Sequence, residues 1–174
     1  MIRFANMARS KRKSYTKEST LVADFARCLR DENNPWGQLR IGFEFEYGGG
    51  AADVFGILGE GMVIAFEAKL TKWRDALHQA YRTRCFANRA YVVLPARTAA
   101  LAAAYEFEFR RRRVGLCTMS EDSEIVTLID SIEALPLQPW VADRAVAAVT
   151  RKGEGCQQIR SSSKLQQPSV LIAA

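Results

Sequence analysis

Apolar positions change their spacing along the chain, and each change marks a new element. Leu21, Val22, Phe25, Ala26 and Leu29 recur at intervals of three and four, which predicts an amphipathic helix from about Thr16 to Asp31. Asn33-Asn34-Pro35 stops it. Glu18, four residues before Val22 and seven before Phe25, falls at the edge of the apolar stripe. From Gln38 to Tyr47 the spacing drops to two: Leu39, Ile41, Phe43, Phe45 and Tyr47 alternate with Arg40, Gly42, Glu44 and Glu46, as in a half-buried strand. Gly48-Gly49-Gly50 is a turn, Ala51–Leu58 a second strand, and Gly59-Glu60-Gly61 turns it back into a third, Met62–Leu70. The Met62–Phe66 run is apolar at every position, as expected of a central strand covered on both faces.

Thr71 is placed to cap a second helix, which runs to about Ala87 and puts Trp73, Leu77, Ala80, Tyr81 and Arg84 on one face, the arginine snorkelling at its edge. Ala90–Leu94 reads as a buried strand ended by Pro95. Thr98–Arg111 reads as one alanine-rich helix. Val114–Met119 and Ile125–Ile129 read as a hairpin across the polar loop Ser120–Glu124, and Pro139 opens a last helix, Trp140–Arg151. The order α-β-β-β-α-β, then α-β-β-α, predicts an α/β fold with a mixed sheet and helices on both faces. Residues 1–13 read as a flexible basic arm, 14–152 as one domain, and 153–174 as a polar, mobile tail.

With 174 residues, 48% of them hydrophobic and 25% charged, the chain can bury a real core. A net charge of +6 and a pI of about 9.4 favour anionic partners: nucleic acid, acidic proteins or membrane surfaces. No apolar run has the length of a membrane span, and residues 1–20 lack the apolar stretch of a secretory signal. Cys28, Cys85, Cys117 and Cys156 form no CxxC pair, and His78 is the sole histidine, which argues against a zinc site. A reducing, cytoplasmic setting fits these cysteines best.

The chemistry concentrates on the third strand. Glu67 and Lys69, two apart, share a face at the end of an apolar run, where a carboxylate and an ammonium are costly unless paired or bound to something. Asp53 lies fourteen residues before Glu67, and the Gly59–Gly61 turn brings it near the same level. Two carboxylates and a lysine at one point suit phosphodiester hydrolysis, because hard oxygen ligands hold Mg²⁺ and a nearby lysine orients water or phosphate.

The stretch D-V-F-G-I-L, a short turn, then V-I-A-F-E-A-K resembles motifs II and III of the PD-(D/E)XK nuclease superfamily, which includes restriction-endonuclease-like proteins and archaeal-type Holliday junction resolvases. The helix and strand from W-R-D-A-L-H-Q-A-Y-R to A-Y-V-V-L-P are similar to those completing the family's restriction-endonuclease-like αβββαβ core. The resemblance spans roughly Glu18 to Pro95 and departs from the pattern at Ala52, where the family has proline. It implies a DNA-cleaving hydrolase with Mg²⁺ (Mn²⁺ substituting) on the Asp53 and Glu67 carboxylates and the Ala68 carbonyl. It also implies that Lys69 acts on the attacking water. Glu18 matches a helix-borne glutamate of many members, and Gln79 a glutamine of the second helix in some branches. The residues themselves leave Glu18, Glu44 and Glu46 open as the additional acid.

Lys72, Arg74, Arg82, Arg84 and Arg89 give the second helix and its exit a basic surface near this site. The run Arg110, Arg111, Arg112 and Arg113 reads equally as a phosphate-binding patch or as cations closing a helix C-terminus. His78 reads as a surface residue, and Trp73, Tyr81 and Trp140 as core rather than stacking platforms. A binding module of the same fold, without catalysis, is the rival reading. Two cuts in a duplex call for two sites, so a homodimer through the Val114–Ile129 hairpin or the last helix is expected. No membrane partner is expected.

Overall fold

A computed structural model describes residues 15–161 apart from residue 32 and residues 121–123, and of residues 151–161 the backbone only. The predicted basic arm and all but the start of the predicted tail lie outside the described residues. Helix α1 (Glu18–Leu29) is followed by strands β1 (Leu39–Glu46), β2 (Ala51–Leu58) and β3 (Met62–Ala68), helix α2 (Trp73–Thr83) and strand β4 (Arg89–Pro95). Helices α3 (Ala96–Ala103) and α4 (Glu106–Arg112), strands β5 (Gly115–Met119) and β6 (Ile125–Ile129) and helix α5 (Pro139–Ser161) complete the chain. The six strands form one mixed sheet in chain order, β1 to β6. β1, β2 and β3 are antiparallel, β3, β4 and β5 parallel, and β6 returns antiparallel to β5. The expected α/β mixed sheet is therefore observed.

Alternation along the central strands divides the core into two layers. On one face α1 buries Leu21, Phe25 and Leu29 against Val54, Ile64, Phe66, Tyr91 and Val93. Trp36 and Phe25 meet Phe66 edge-on, with centroids 4.8 and 5.0 Å away, an arrangement that matches the rings' quadrupoles. On the other face α2, α3 and α4 cover Ala90, Val92, Leu94 and Leu116, while α5 packs over Phe55, Ile57, Val63 and Ala65. Two glycines make room for rings lying flat on the sheet. A Cβ on Gly42 would stand 2.2 Å from the Phe55 ring, and one on Gly115 2.3 Å from the Tyr91 ring.

Five expectations need correction. The apolar residues of β1 do not share a face: Leu39 and Ile41 pack with α1, whereas Phe45 and Tyr47 pack beneath α5. The change falls at Glu44, whose φ of +51° is left-handed. β2 changes faces at the same level, with Ala52 under α5 and Val54 under α1. Lys72, not Thr71, is the N-cap of α2, and no side chain caps it. The alanine-rich stretch is two helices, interrupted at Ala104 and Tyr105. Tyr81 and Trp140 are exposed, at 49% and 62%, because the buried side of α2 is Ala76, Leu77, Ala80 and Thr83 and that of α5 is Val141, Ala142 and Ala145. Helix α5 continues to Ser161, into the stretch read as tail.

Candidate active site

The β2–β3 ladder ends with Val54 opposite Phe66, and Asp53 and Glu67 are the next residues of the two strands. The backbone N–H of Ala68 donates to Asp53 Oδ2 at 2.9 Å, which turns this carboxylate toward β3. Lys69 Nζ lies 3.8 Å from Glu67 Oε1 and 3.3 Å from Glu18 Oε2. Glu18 arrives from the first turn of α1 and also accepts from the Leu70 N–H at 3.5 Å. The structure thus brings Glu18, Asp53, Glu67 and Lys69 together at the end of β3.

Their environments differ. Glu67 is only 2% exposed, and its Oε2 is buried with no hydrogen-bond partner among the described residues. Burial, and then the negative charge of Asp53, push its carboxyl from 4.5 up to about 8, against the opposing pull of Lys69. Burial alone would lower the Lys69 ammonium, but the hydrogen bond to Glu18 and the charges of Asp53, Glu18 and Glu67 outweigh it, so its pKa is raised. Lys69 therefore stays protonated at neutral pH.

The donor set suits a small hard cation. Its side chains are the Glu67 carboxylate, with one buried oxygen that has no hydrogen-bond partner among the described residues, and the Asp53 carboxylate beside it. Among the described residues no group of three or more His, Cys, Asp or Glu side chains is arranged around a metal position.

The remaining predicted residues are dispersed. Gln79 is half-buried on α2, and its Oε1 is also buried without a partner among the described residues. Lys72 is exposed at the start of α2, and the Arg82 guanidinium lies against the Gly49–Gly50 turn. Arg74 is held by Glu108 at 3.1 Å and lies over the Trp73 and Tyr105 rings at 4.1 and 4.7 Å. The arginine run closes α4: Arg110 pairs with Glu106, Arg112 binds the Glu108 carbonyl at 3.1 Å, and the Arg113 carbonyl accepts from Ser131. It precedes β5 at the entry edge of the parallel strands, whereas Lys69 follows the exit of β3 two strands away. His78 is exposed and Trp73 half-buried against α4.

Sequence reasoning missed a cleft of about 470 Å³ beside Asp53, lined by Glu18, Val22, Ala23, Arg30, Phe43 and Glu44 among others. Phe43 reads as core in the β1 alternation, yet its ring is 38% exposed in this cleft. The backbone turn at Glu44 that leaves it there has no signature in residue type. Glu44 thus shares a cleft with Asp53, Glu18 alone of the three open acids meets Lys69, and Glu46 is exposed on β1.

No helix among the described residues is long and apolar enough to cross a membrane. No family model matches the chain, and no curated protein does. A solved structure, a protein of unknown function from Silicibacter pomeroyi, is similar in fold: its TM-score is 0.56 at 18% identity, over 86% of this chain and 96% of that one.

Proposed function

We propose that this protein is a metal-dependent nuclease that hydrolyses phosphodiester bonds in DNA. The observation that carries the reading is the buried Glu67 carboxylate, with one oxygen unpartnered, facing Asp53 and beside the Lys69 ammonium. An ionised Glu67, buried beside the Asp53 charge, is unfavourable for folding, and a bound cation would relieve it. The order α1-β1-β2-β3-α2-β4 agrees with the resemblance drawn from the motifs.

Asp53, Glu67 and the Ala68 carbonyl would hold Mg²⁺. When bound, the ion supplies a more acidic water and neutralises charge developing on the phosphate oxygens. The chain's own contribution is positional. The Ala68 N–H fixes the Asp53 carboxylate, and Phe66 and Ala68, buried on the opposite face of β3, fix the strand that carries Glu67. Lys69 serves as a cation that orients a water or a phosphate oxygen. Glu18 holds the Lys69 ammonium in place.

The engagement of Glu18 by Lys69 supports a second reading, a DNA- or partner-binding module whose acids serve only an ion-pair network. Linear, nicked, branched and single-stranded labelled DNAs incubated with Mg²⁺ and with EDTA separate the two. The nuclease reading expects metal-dependent products from at least one substrate, and salt-sensitive binding with no products from any of them favours the module.

A further inference from the structure

The cleft beside Asp53 is a second place for substrate. Its polar lining holds three acids, Glu18, Glu44 and Asp53, against one cation, Arg30, so a phosphate would meet repulsion there. A neutral planar group would not. Phe43 presents an aromatic ring of the kind on which bases stack, and the Arg30 guanidinium lies over it, 5.7 Å from the centroid. One exposed phenyl ring is ordinary on a protein surface. Here it lines an open cleft of about 470 Å³ that Asp53 also lines.

We propose that this cleft receives one unpaired nucleobase of a DNA substrate, stacked on Phe43, next to the phosphate held at Asp53, Glu67 and Lys69. The inference rests on the nuclease reading and narrows it. The preferred substrate has an unpaired nucleotide adjoining the cut, as in a single strand, a flap or a frayed end. A base paired within a duplex cannot leave its stack to enter the cleft without a cost in pairing energy.

The test uses the full chain with Ca²⁺ in place of Mg²⁺, so that binding is read without cleavage. The probe is a short single-stranded DNA carrying 2-aminopurine, compared with the same strand fully annealed. The wild type is expected to quench the probe in the single strand and to bind it more tightly than the duplex. Phe43→Leu is expected to abolish the quench and weaken single-strand binding roughly tenfold, leaving duplex binding unchanged. Ala23→Trp fills the cleft from an exposed position on α1 and is expected to do the same, which covers the case in which Phe43→Leu folds poorly. Equal affinity of wild type and both variants for single strand and duplex, with no quench, overturns the proposal. Failure of the nuclease reading shows separately, as Mg²⁺-dependent cleavage that Glu67→Gln leaves intact; the Ca²⁺ binding result stands whichever way that assay falls.

Discussion

Glu67→Gln should stabilise the metal-free protein, and increasingly so as pH rises above about 5. Glu67 is 2% exposed and its carboxyl is raised from 4.5 to about 8, first by burial and then by the Asp53 charge. A carboxyl raised on folding means that the native state binds more protons than the unfolded chain between those two values. Stability then falls as pH rises through that window. The slope is about 1.4 kcal/mol per pH unit, and the whole window is worth about 5 kcal/mol. Glutamine keeps the shape and removes the titration, so the two proteins should be of similar stability near pH 5 and diverge by several kcal/mol at pH 8. Urea unfolding in EDTA, from pH 5 to 8.5, measures this directly. A wild-type curve that is flat across that range, or that runs parallel to the variant's, refutes the buried-acid account.

Three further expectations follow from the same geometry. Mg²⁺ or Ca²⁺ should raise the wild-type melting temperature more at pH 8 than at pH 6, since the cation must displace the Glu67 proton, and should leave Asp53→Ala unmoved; calorimetry with and without EDTA checks it. Gly115→Ala should cost roughly 1–3 kcal/mol or more, because its Cβ would meet the Tyr91 ring at 2.3 Å and the Ile129 carbonyl at 2.8 Å, and a comparable melting temperature would count against the packing described. Lys72→Ala with Arg82→Ala should weaken DNA binding and flatten its salt dependence by about two phosphate contacts, read from affinities at several salt concentrations, whereas Arg110→Ala should change little because Glu106 already holds it.

The sheet was legible because its strands differ in covering. The all-apolar Met62–Phe66 run is buried on both faces and lies at the centre, and the Gly59–Gly61 turn sets the register that opposes Asp53 to Glu67. The acid–acid–lysine grouping was legible for the same reason: charged residues at the end of an apolar strand are conspicuous. What was hidden depends on backbone turns and on neighbours distant in sequence. Glu44 carries a left-handed φ that its residue type does not announce, so the face exchange in β1 and the exposure of Phe43 could not be read. Tyr81 shares helical spacing with Leu77, but α2 seats its small residues on the sheet and leaves the tyrosine outside. The arginine run was read two ways, and the i,i+4 pairs of Arg110 with Glu106 and of Arg112 with Glu108 within α4 favour cations that close a helix.

On the proposed function, the Asp53–Glu67–Lys69 grouping cuts DNA. The most direct test is cleavage of the susceptible DNA by wild type and Glu67→Ala, purified identically and assayed in Mg²⁺, with binding measured in Ca²⁺. The account predicts loss of turnover by at least a hundredfold with affinity unchanged or slightly tighter, because the variant removes a metal ligand and one negative charge near the phosphate. Equal cleavage by the two proteins would place the activity elsewhere and contradict the assignment.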